Sequence, residues 1–316
     1  ILAEYQKKKI AAFWTQVKGL TNNYFGYNNL GAASDRPYGG TGSSYADPSL
    51  ASFMGTITYS LFDRYTLNLT TRADGSSMVG KDHTWGIFPS ISATWDMKKE
   101  SFLRNNKHIS LLNLRTGYGR SGNLGGISSY LTLKQYIPVG LISYNGTPTV
   151  TMGTLRNSNP DLRWETRSTF NIGTDLGLFN HRLLLTAEYY YSKTTDMLYE
   201  YDVPVPTFAF DKLLANIGSM SNSGFELGIG IVPISKKDME LNVNINMAWQ
   251  KNKLLSLNGK HNGKDMTASD ITPIGGMNGA GFHGGYNDIL YQIVGQPLGV
   301  FYLPHCKGIV DNGHGH

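Results

Sequence analysis

The sequence predicts an all-β fold, an antiparallel sheet that forms a sector of a transmembrane β-barrel with long extracellular loops. Three observations support this prediction: strands with one apolar and one polar face, connections that alternate between short and long, and a composition poor in charge. Of the 316 residues, 16% are charged and 12% aromatic, with 19 Tyr and 37 Gly. Soluble domains usually hold about 25% charged residues. The low charge disfavours an ordinary soluble enzyme, although a soluble β-sandwich could share this composition.

The clearest strand covers residues 241–249. Apolar residues occupy every second position and asparagines fill most positions between them: Leu241, Val243, Ile245, Met247 and Trp249 alternate with Asn242, Asn244, Asn246 and Ala248. A period of two predicts a β-strand, because successive side chains leave opposite faces of the pleat. A wall between lipid and a water-filled lumen explains an apolar face and an asparagine-rich face at once.

Residues 1–50 differ from the rest and are predicted to form an extracellular loop region with a short helix. Ile10, Phe13, Trp14 and Val17 have helical spacing within residues 4–20. A stretch rich in Gly, Asn, Ser and Tyr follows. Residues 51–316 are predicted to hold the strands and loops of the barrel.

Seven more strands are predicted by alternation, which makes about eight in total. They cover residues 51–61, 65–72, 85–95, 112–118, 164–176, 182–201 and 225–231. Short connections alternate with long ones, as in membrane barrels that have short periplasmic turns and long outer loops. Aromatic residues lie near strand ends, where a membrane barrel needs interfacial rings, although a sandwich core or rim would also use them. These residues are Tyr65, Trp85, Trp95, Trp164, Tyr199 and Trp249.

Several functional classes lack support in the sequence. No run reaches the roughly 18–20 apolar residues of a membrane helix, and no basic stripe with interleaved aromatics predicts nucleic-acid binding. The spacing of His305, Cys306, His314 and His316 fits no strong metal template. Neither a phosphate-binding loop nor a hydrolase elbow is present. We therefore predict no catalytic residue, no cofactor and no metal.

Five short motifs occur in order between residues 51 and 257. They are 64–65 (RY) with 72–77 (RADGSS), 85–90 (WGIFPS), 114–119 (LRTGYG) with 122–123 (GN), 159–166 (NPDLRWET), and 216–220 (NIGSM) through 224–227 (GFEL). Together they resemble the barrel signature of the SusC/RagA-type TonB-dependent outer-membrane transporters. Met78 departs from the family, where an Arg is common.

The resemblance implies a barrel of about 22 strands, of which this chain would supply about eight. We therefore expect a central barrel sector that lacks the plug domain, the TonB-contacting segment and the last strands. The resemblance also implies a location in a Gram-negative outer membrane, uptake of oligosaccharides or peptides, a SusD-like surface lipoprotein as partner, and energy from the TonB complex through the N-terminal region. The alternative is a soluble β-rich carbohydrate-binding module, in which the apolar face of residues 241–249 would pack against another sheet.

Two groups of residues are candidates for contacts within such a transporter. Charged residues on the polar faces could line the lumen and touch the plug or the solute: Arg72, Asp74, Arg115, Arg167, Glu188 and Glu226. An alternative for Asp74 is a hairpin end, where its carboxylate would accept from the backbone of residues 75–77. Loop tyrosines could stack on sugar rings: Tyr38, Tyr45, Tyr130, Tyr136 and Tyr144.

Overall fold

The computed structural model describes residues 1–22, 24, 26–37, 39–261, 264–276, 288–303 and 305. In this part of the chain the strands are β1 (Leu2–Lys7), β2 (Ile10–Thr15), β3 (Lys18–Leu20), β4 (Ala33–Asp35), β5 (Thr41–Ala46), β6 (Ser49–Leu61), β7 (Tyr65–Ser76), β8 (Trp85–Asp96), β9 (Ile109–Asn123), β10 (Tyr136–Tyr144), β11 (Thr147–Thr154), β12 (Glu165–Leu178), β13 (Leu183–Asp202), β14 (Lys212–Lys236), β15 (Met239–Ser256), β16 (Asn258–His261), β17 (Lys264–Thr267), β18 (Ile271–Gly276), β19 (Asp288–Ile293) and β20 (Val300–Phe301). Short 3-10 helices cover Gly26–Ala32, Lys81–His83 and Met97–Lys99.

Nine strands form one antiparallel sheet, here called the strand wall, in the order β1-β6-β7-β8-β9-β12-β13-β14-β15. The predicted all-β, antiparallel fold is confirmed. All eight strands predicted from residue 51 onward lie in this sheet, and β1 is the ninth. Within the described residues, no helix has the length and apolar character required to traverse a membrane.

The two faces of the strand wall differ as the alternation predicts. On the apolar face, Ile57 lies opposite Leu69, which lies opposite Ile91. All three side chains are exposed, Ile57 to 67%. On the polar face, the Thr58 hydroxyl donates to Asn68 Oδ1 at 2.8 Å. The apolar face of residues 241–249 is also uncovered, with Trp249 exposed to 56%, which disfavours a sheet-on-sheet sandwich.

The buried apolar residues lie above the strand wall, in what we call the loop cap. The loop cap consists of two clusters, formed by the long connections and the far ends of β13 and β14. One contains Val79, Ile127, Leu131 and Leu162, and the other Tyr201, Val203, Leu213, Ala215 and Ile217. Leu162 and Tyr201 are at most 1% exposed. The buried apolar clusters of the described residues are therefore built by the long connections together with the far ends of two strands.

The helix predicted over residues 4–20 is wrong. That segment forms β1, β2 and β3, and a short 3-10 helix follows at Gly26–Ala32. β1 pairs with β6 from Leu2 opposite Met54 to Lys7 opposite Ser49. β2 pairs with β5 and β3 with β4. Because each of the three strands finds a row of hydrogen-bond partners, sheet pairing outweighs the weak helical spacing of four apolar side chains.

Strands β13 and β14 extend beyond the other strands of the strand wall into the loop cap. They contain 20 and 25 residues, more than the roughly 9–11 residues that cross a bilayer. β15 stops earlier, where Ser256 lies opposite Ser219. At this height the β13–β14 register shifts between Thr194 and Met197, and Asp196 adopts a positive φ of 54°. This bulge marks the junction between strand wall and loop cap.

Two of the six aromatics predicted for an interfacial girdle lie in the loop cap instead. Trp164 packs against the first cluster and donates its Nε1–H to the Thr84 carbonyl at 3.2 Å. Tyr199 packs edge-on against Tyr201 beside the second cluster. Both residues lie near strand ends, as predicted, but they pack against the buried clusters.

Candidate functional site

A charged network lies at mid-height on the polar face of the strand wall. Arg115 on β9 donates Nε–H and Nη2–H to the two Asp175 carboxylate oxygens at 2.8 and 3.1 Å. A third bond, from Nη1, reaches Glu188 Oε2 at 3.4 Å, and Asn171 donates to the other Glu188 oxygen at 3.2 Å. The paired geometry holds the guanidinium between β12 and β13. The structure thus brings the candidates Arg115 and Glu188 together and adds Asp175.

The candidates Glu226 and Arg167 stand outside this network. Glu226 lies directly opposite Glu188 on the neighbouring strand, an arrangement in which like charges repel. Within the described part of the chain, neither Glu226 nor Arg167 forms an ion pair, and both are exposed. Gly224, Gly228 and the exposed Asn246 adjoin Glu226 on β14 and β15. The carboxylate therefore faces open space on the polar face.

Arg72 and Asp74 form a second pair near the loop end of the polar face. Arg72 Nε–H is shared by both Asp74 carboxylate oxygens at 2.7 and 2.9 Å, and Nη2–H donates to Ser52 Oγ at 2.9 Å. Asp74 is buried. Its carboxylate contacts Arg72 rather than the backbone of residues 75–77. The pair lines a cavity of about 610 Å³ together with Phe88, Trp164 and Arg120.

Two of the motifs quoted above meet at the junction between strand wall and loop cap. The buried Asn216 on β14 accepts from the Arg163 N–H at 3.0 Å and donates to the carbonyls of Arg163 and Asp196 at 2.8 and 2.9 Å. The Arg163 guanidinium in turn donates to Asp196 Oδ1 at 2.8 Å. One amide therefore serves the backbone of two other segments.

Two further asparagines continue this arrangement along β14. Asn157 donates to the carbonyls of Phe210 and Lys212 at 2.7 Å each, and Asn159 donates to the Leu214 carbonyl at 2.8 Å. Side-chain amides thus replace a strand partner for part of β14. Alternation does not predict this role, and the sequence signal for it lies in the asparagines within and beside the quoted motifs.

Gly80 permits a close approach in the same region. Its N–H donates to the Leu162 carbonyl at 2.7 Å. A Cβ at this position would lie 1.9 Å from the Pro160 carbonyl oxygen, which is far inside van der Waals contact. Any larger residue would separate the two chain segments that enclose Leu162.

The four loop tyrosines that the structure describes differ in their surroundings. Tyr45, Tyr136 and Tyr144 are exposed to 55–65%, as stacking platforms would be. The Tyr130 hydroxyl donates to Asp47 Oδ1 at 2.9 Å, and the Lys7 ammonium lies 3.0 Å from the other Asp47 oxygen. Hydrogen bonds from Lys7 and Tyr130 lower the pKa of the Asp47 carboxyl. Tyr38 lies outside the described residues.

The opposite end of the strand wall, at the short turns, carries its own polar cluster. The buried Glu100 accepts from the Tyr65 hydroxyl at 2.6 Å, from Trp95 Nε1–H at 3.0 Å and from Arg64 at 2.7 Å. The Tyr65 and Trp95 rings stack with centroids 6.0 Å apart. These bonds, that from Tyr65 first, lower the pKa of the Glu100 carboxyl. The cluster joins two neighbouring turns.

A search of the described residues for groups of three or more potential metal ligands finds none. Of the four C-terminal candidates, His305 is described and exposed. Cys306, His314 and His316 lie outside the described residues.

Comparison with known proteins identifies the family. The family model described as "TonB dependent receptor-like, beta-barrel" matches residues 5–296. This chain belongs to the TonB-dependent receptor β-barrel family. The TonB-dependent receptor P26 of Formosa agariphila is 34% identical over 257 residues, which is 81% of this chain and 26% of that protein. The TonB-dependent receptor SusC of Bacteroides thetaiotaomicron is 36% identical over 220 residues, 67% of this chain and 21% of SusC.

Solved structures show the same fold. The RagAB peptide importer in its closed-closed state superimposes with a TM-score of 0.74 at 21% identity, covering 95% of this chain and 30% of that chain. The predicted resemblance to the SusC/RagA type is confirmed, as is the location in the outer membrane that this family shares. The chain spans less than a third of each of these proteins.

Proposed function

We propose that the complete protein imports nutrients across the outer membrane, taking up oligosaccharides, or peptides, with a SusD-like surface lipoprotein and with energy from the TonB complex. The observation that carries this proposal is the two-faced strand wall. Its apolar face meets no protein in the described part of the chain and suits lipid, and its polar face suits a water-filled lumen. In this orientation the loop cap and residues 8–48, between β1 and β6, face outward and the short turns face the periplasm.

Oligosaccharides are the favoured solute because the polar face is rich in neutral hydrogen-bonding groups. Thr58, Asn68, Asn244 and Asn246 present hydroxyls and amides, which match the hydroxyls of neutral sugars. Peptides are the second candidate, since the RagAB importer, similar in fold, carries peptides.

The charged candidates on the polar face are proposed as contacts of the plug or the solute. Arg72 with Asp74 and Arg115 with Glu188 already form pairs, so we expect them to shape the wall. Glu226 and Arg167, which form no ion pair within the described residues, are the stronger candidates for direct contact with an arriving charged group.

Calorimetric titration of the complete transporter with its lipoprotein tests the solute class. We expect binding of neutral oligosaccharides, weakened several-fold by Tyr45→Ala or Tyr144→Ala in the exposed loops. Tyr59→Ala is the matched control, since Tyr59 is equally exposed on the apolar face of the strand wall. Binding of peptides in place of oligosaccharides would reassign the solute. Recovery of the intact protein in the soluble fraction without detergent would refute the membrane location.

A further inference from the structure

Three lysines lie on the apolar face of the strand wall, at its loop end. Lys193 on β13 lies opposite Ser221 on β14, which lies opposite Lys253 on β15. One row nearer the turns, Lys251 lies opposite Ser223. Because residues directly opposite each other share a face of the sheet, the three lysines and two serines form one patch, here called the lysine patch.

Aromatic side chains separate the lysine patch from the rest of the apolar face. Tyr189, Phe225 and Trp249 lie opposite one another in the next row toward the turns, and they are exposed to between 41% and 56%. Rings of this kind mark the boundary between hydrocarbon and headgroups. Further toward the turns, the face continues with Leu227 opposite Met247. From turns to loops, the order is therefore apolar, aromatic and cationic.

The lysine patch carries positive charge that no acidic side chain balances. All three lysines are exposed, and none forms an ion pair within the described residues. β14 and β15 contain one acidic residue each, Glu226 on the polar face and Glu240 beside a short turn. On β13, Asp196 is held by Arg163. Because like charges this close repel one another, the patch favours an anionic partner.

The spacing within the lysine patch suits a phosphate group. Neighbouring strands lie about 4.8 Å apart, so the Cα atoms of Lys193 and Lys253, which flank β14, are about 9–10 Å apart. Ser221 and Ser223 between them are short and partly exposed, and their hydroxyls can donate to a phosphate oxygen. Ammonium groups on long side chains can therefore reach one phosphate from both sides of β14.

The height of the lysine patch places it among lipid headgroups. Lys251 lies two residues beyond the aromatic row, and Lys193 and Lys253 lie four residues beyond it. At about 3.3 Å per residue and a strand tilt of about 35–45°, these positions stand roughly 5 and 10 Å outside that row. A headgroup layer is about 5–8 Å thick. Phosphates carried on sugar rings extend further outward than the single phosphate layer of a phospholipid, so the patch suits a glycolipid better.

We propose that the lysine patch binds the phosphate groups of the phosphorylated glycolipid in the outer leaflet of the outer membrane. This inference rests on the orientation given under the proposed function, in which the loop end faces outward, but not on the solute, the lipoprotein or the TonB complex. It adds a lipid-binding site on the face of the wall opposite the lumen. The bound lipid bridges β13 and β15, and the contact weakens as the salt concentration rises.

Two triple variants of the complete transporter provide a matched test, with purified lipopolysaccharide as the probe. The patch variant carries Lys193→Gln, Lys251→Gln and Lys253→Gln. The control variant removes the same charge from exposed lysines at the turn end of the wall, by Lys107→Gln, Lys236→Gln and Lys237→Gln. We expect the patch variant to bind lipopolysaccharide about tenfold or more weakly, and the control variant to change by less than about twofold. Unchanged affinity in the patch variant would overturn the proposal, as would equal losses in both variants.

Further titrations identify the chemical group that is bound. Lipopolysaccharide stripped of its phosphates should bind the unmodified transporter as weakly as the intact lipid binds the patch variant. Arginine at the same three positions keeps the charge and should retain the affinity within about threefold. Tight binding of phosphatidylglycerol vesicles, or displacement of lipopolysaccharide by millimolar inorganic phosphate, would overturn the assignment to the glycolipid.

Thermal unfolding shows whether the patch variant is folded. Without lipopolysaccharide, the patch variant and the unmodified protein should unfold within about 2 °C of each other, because exposed side chains contribute little to stability. Added lipopolysaccharide should raise the unfolding temperature of the unmodified protein and of the control variant, and leave that of the patch variant nearly unchanged. A patch variant that is stabilised as strongly as the unmodified protein would overturn the proposal.

The outcomes separate this inference from the proposed function. The lysine patch lies on the face opposite the lumen, so the patch variant should bind the transported solute as the unmodified protein does. If the unmodified protein binds lipopolysaccharide through the patch but binds no solute, only the proposed function is wrong. If it binds solute and the patch variant keeps its affinity for lipopolysaccharide, only this inference is wrong. If the patch variant changes its oligomeric state and still binds lipopolysaccharide, a second copy covers the patch and the proposal is overturned.

Discussion

Apolar side chains are exposed in the strand wall and buried in the loop cap. In the strand wall, Ile57 and Trp249 are more than half exposed, whereas in the loop cap Leu162 and Tyr201 are at most 1% exposed. The wall needs no packed interior on its apolar side because lipid is its solvent there. The cap meets water, so it must bury its apolar groups. The burial pattern therefore reveals which solvent each region contacts.

The two regions also satisfy their backbones differently. In the interior of the strand wall, neighbouring strands satisfy the backbone amides and carbonyls of one another through the ladder. In the loop cap, side-chain amides form some of the hydrogen bonds to the backbone, as Asn216 does with Arg163 and Asp196. Substitutions should therefore destabilise the loop cap through cavities and lost partners, and the strand wall through charge placed in lipid.

The largest expected effect is on packing. Leu162→Ala should lower the free energy of opening the loop cap by about 2–5 kcal/mol, because it leaves a cavity in a closed core. Leu69→Ala on the exposed apolar face should change stability by no more than about 0.5 kcal/mol. For Leu162→Ala the measurement is the rate of proteolysis of the outer loops in the complete protein. For Leu69→Ala it is thermal unfolding in detergent. An equal loss of stability in both variants would contradict the difference in packing between the loop cap and the strand wall.

A charge on the apolar face tests the lipid directly. Ile57→Arg should destabilise the barrel by about 2–4 kcal/mol if this position lies near the bilayer midplane. Thr58→Arg, one residue along and on the polar face, should be tolerated because its side chain enters water. Unfolding in lipid vesicles measures both. A tolerated Ile57→Arg would show that lipid does not cover this face.

Loss of the Asn216 amide tests the hydrogen bonding of the loop cap. Asn216→Ala removes the partner of the Arg163 N–H and of two carbonyls, so it should cost about 1–3 kcal/mol. Asn246→Ala, exposed on the polar face, is the control and should be nearly neutral. Hydrogen exchange of the Arg163 amide reports the local change, and unaltered exchange would mean that another group serves this backbone.

The smallest effect should be a pH dependence at the short turns. Because hydrogen bonds lower the pKa of Glu100 below its unfolded value of about 4.3, its contribution to stability is complete above that pH. The contribution is lost as pH falls through the folded pKa. Glu100→Gln should therefore flatten the fall in unfolding temperature below about pH 5. A variant with the same pH profile as the unmodified protein would exclude this carboxyl as the cause.

Alternation was sufficient to predict eight strands of the strand wall, because the pattern that marks each strand lies within a few consecutive residues. Every second residue from Leu241 to Trp249 is apolar, and the neighbours that complete the pattern are one or two positions away. The same local rule misassigned residues 4–20, where β1 pairs with β6, β2 with β5 and β3 with β4, all strands that come later in the sequence.

The loop cap could not be predicted because its contacts join distant segments without any period. Val79, Ile127 and Leu162 meet in one cluster, yet they lie in three connections that are far apart in sequence and show no alternation. The motif that contains Arg163 and the motif that begins at Asn216 were recognised separately. Only the structure shows that they contact each other and hold the junction.

The junction between strand wall and loop cap has a mechanical consequence. β14 runs through it unbroken for 25 residues, while β13 bulges beside it at Asp196 and is held there by Arg163. One continuous strand resists stretching along its axis, and a bulged neighbour yields to bending. The loop cap should therefore resist displacement along the strand axis and yield more easily to sideways bending at the junction.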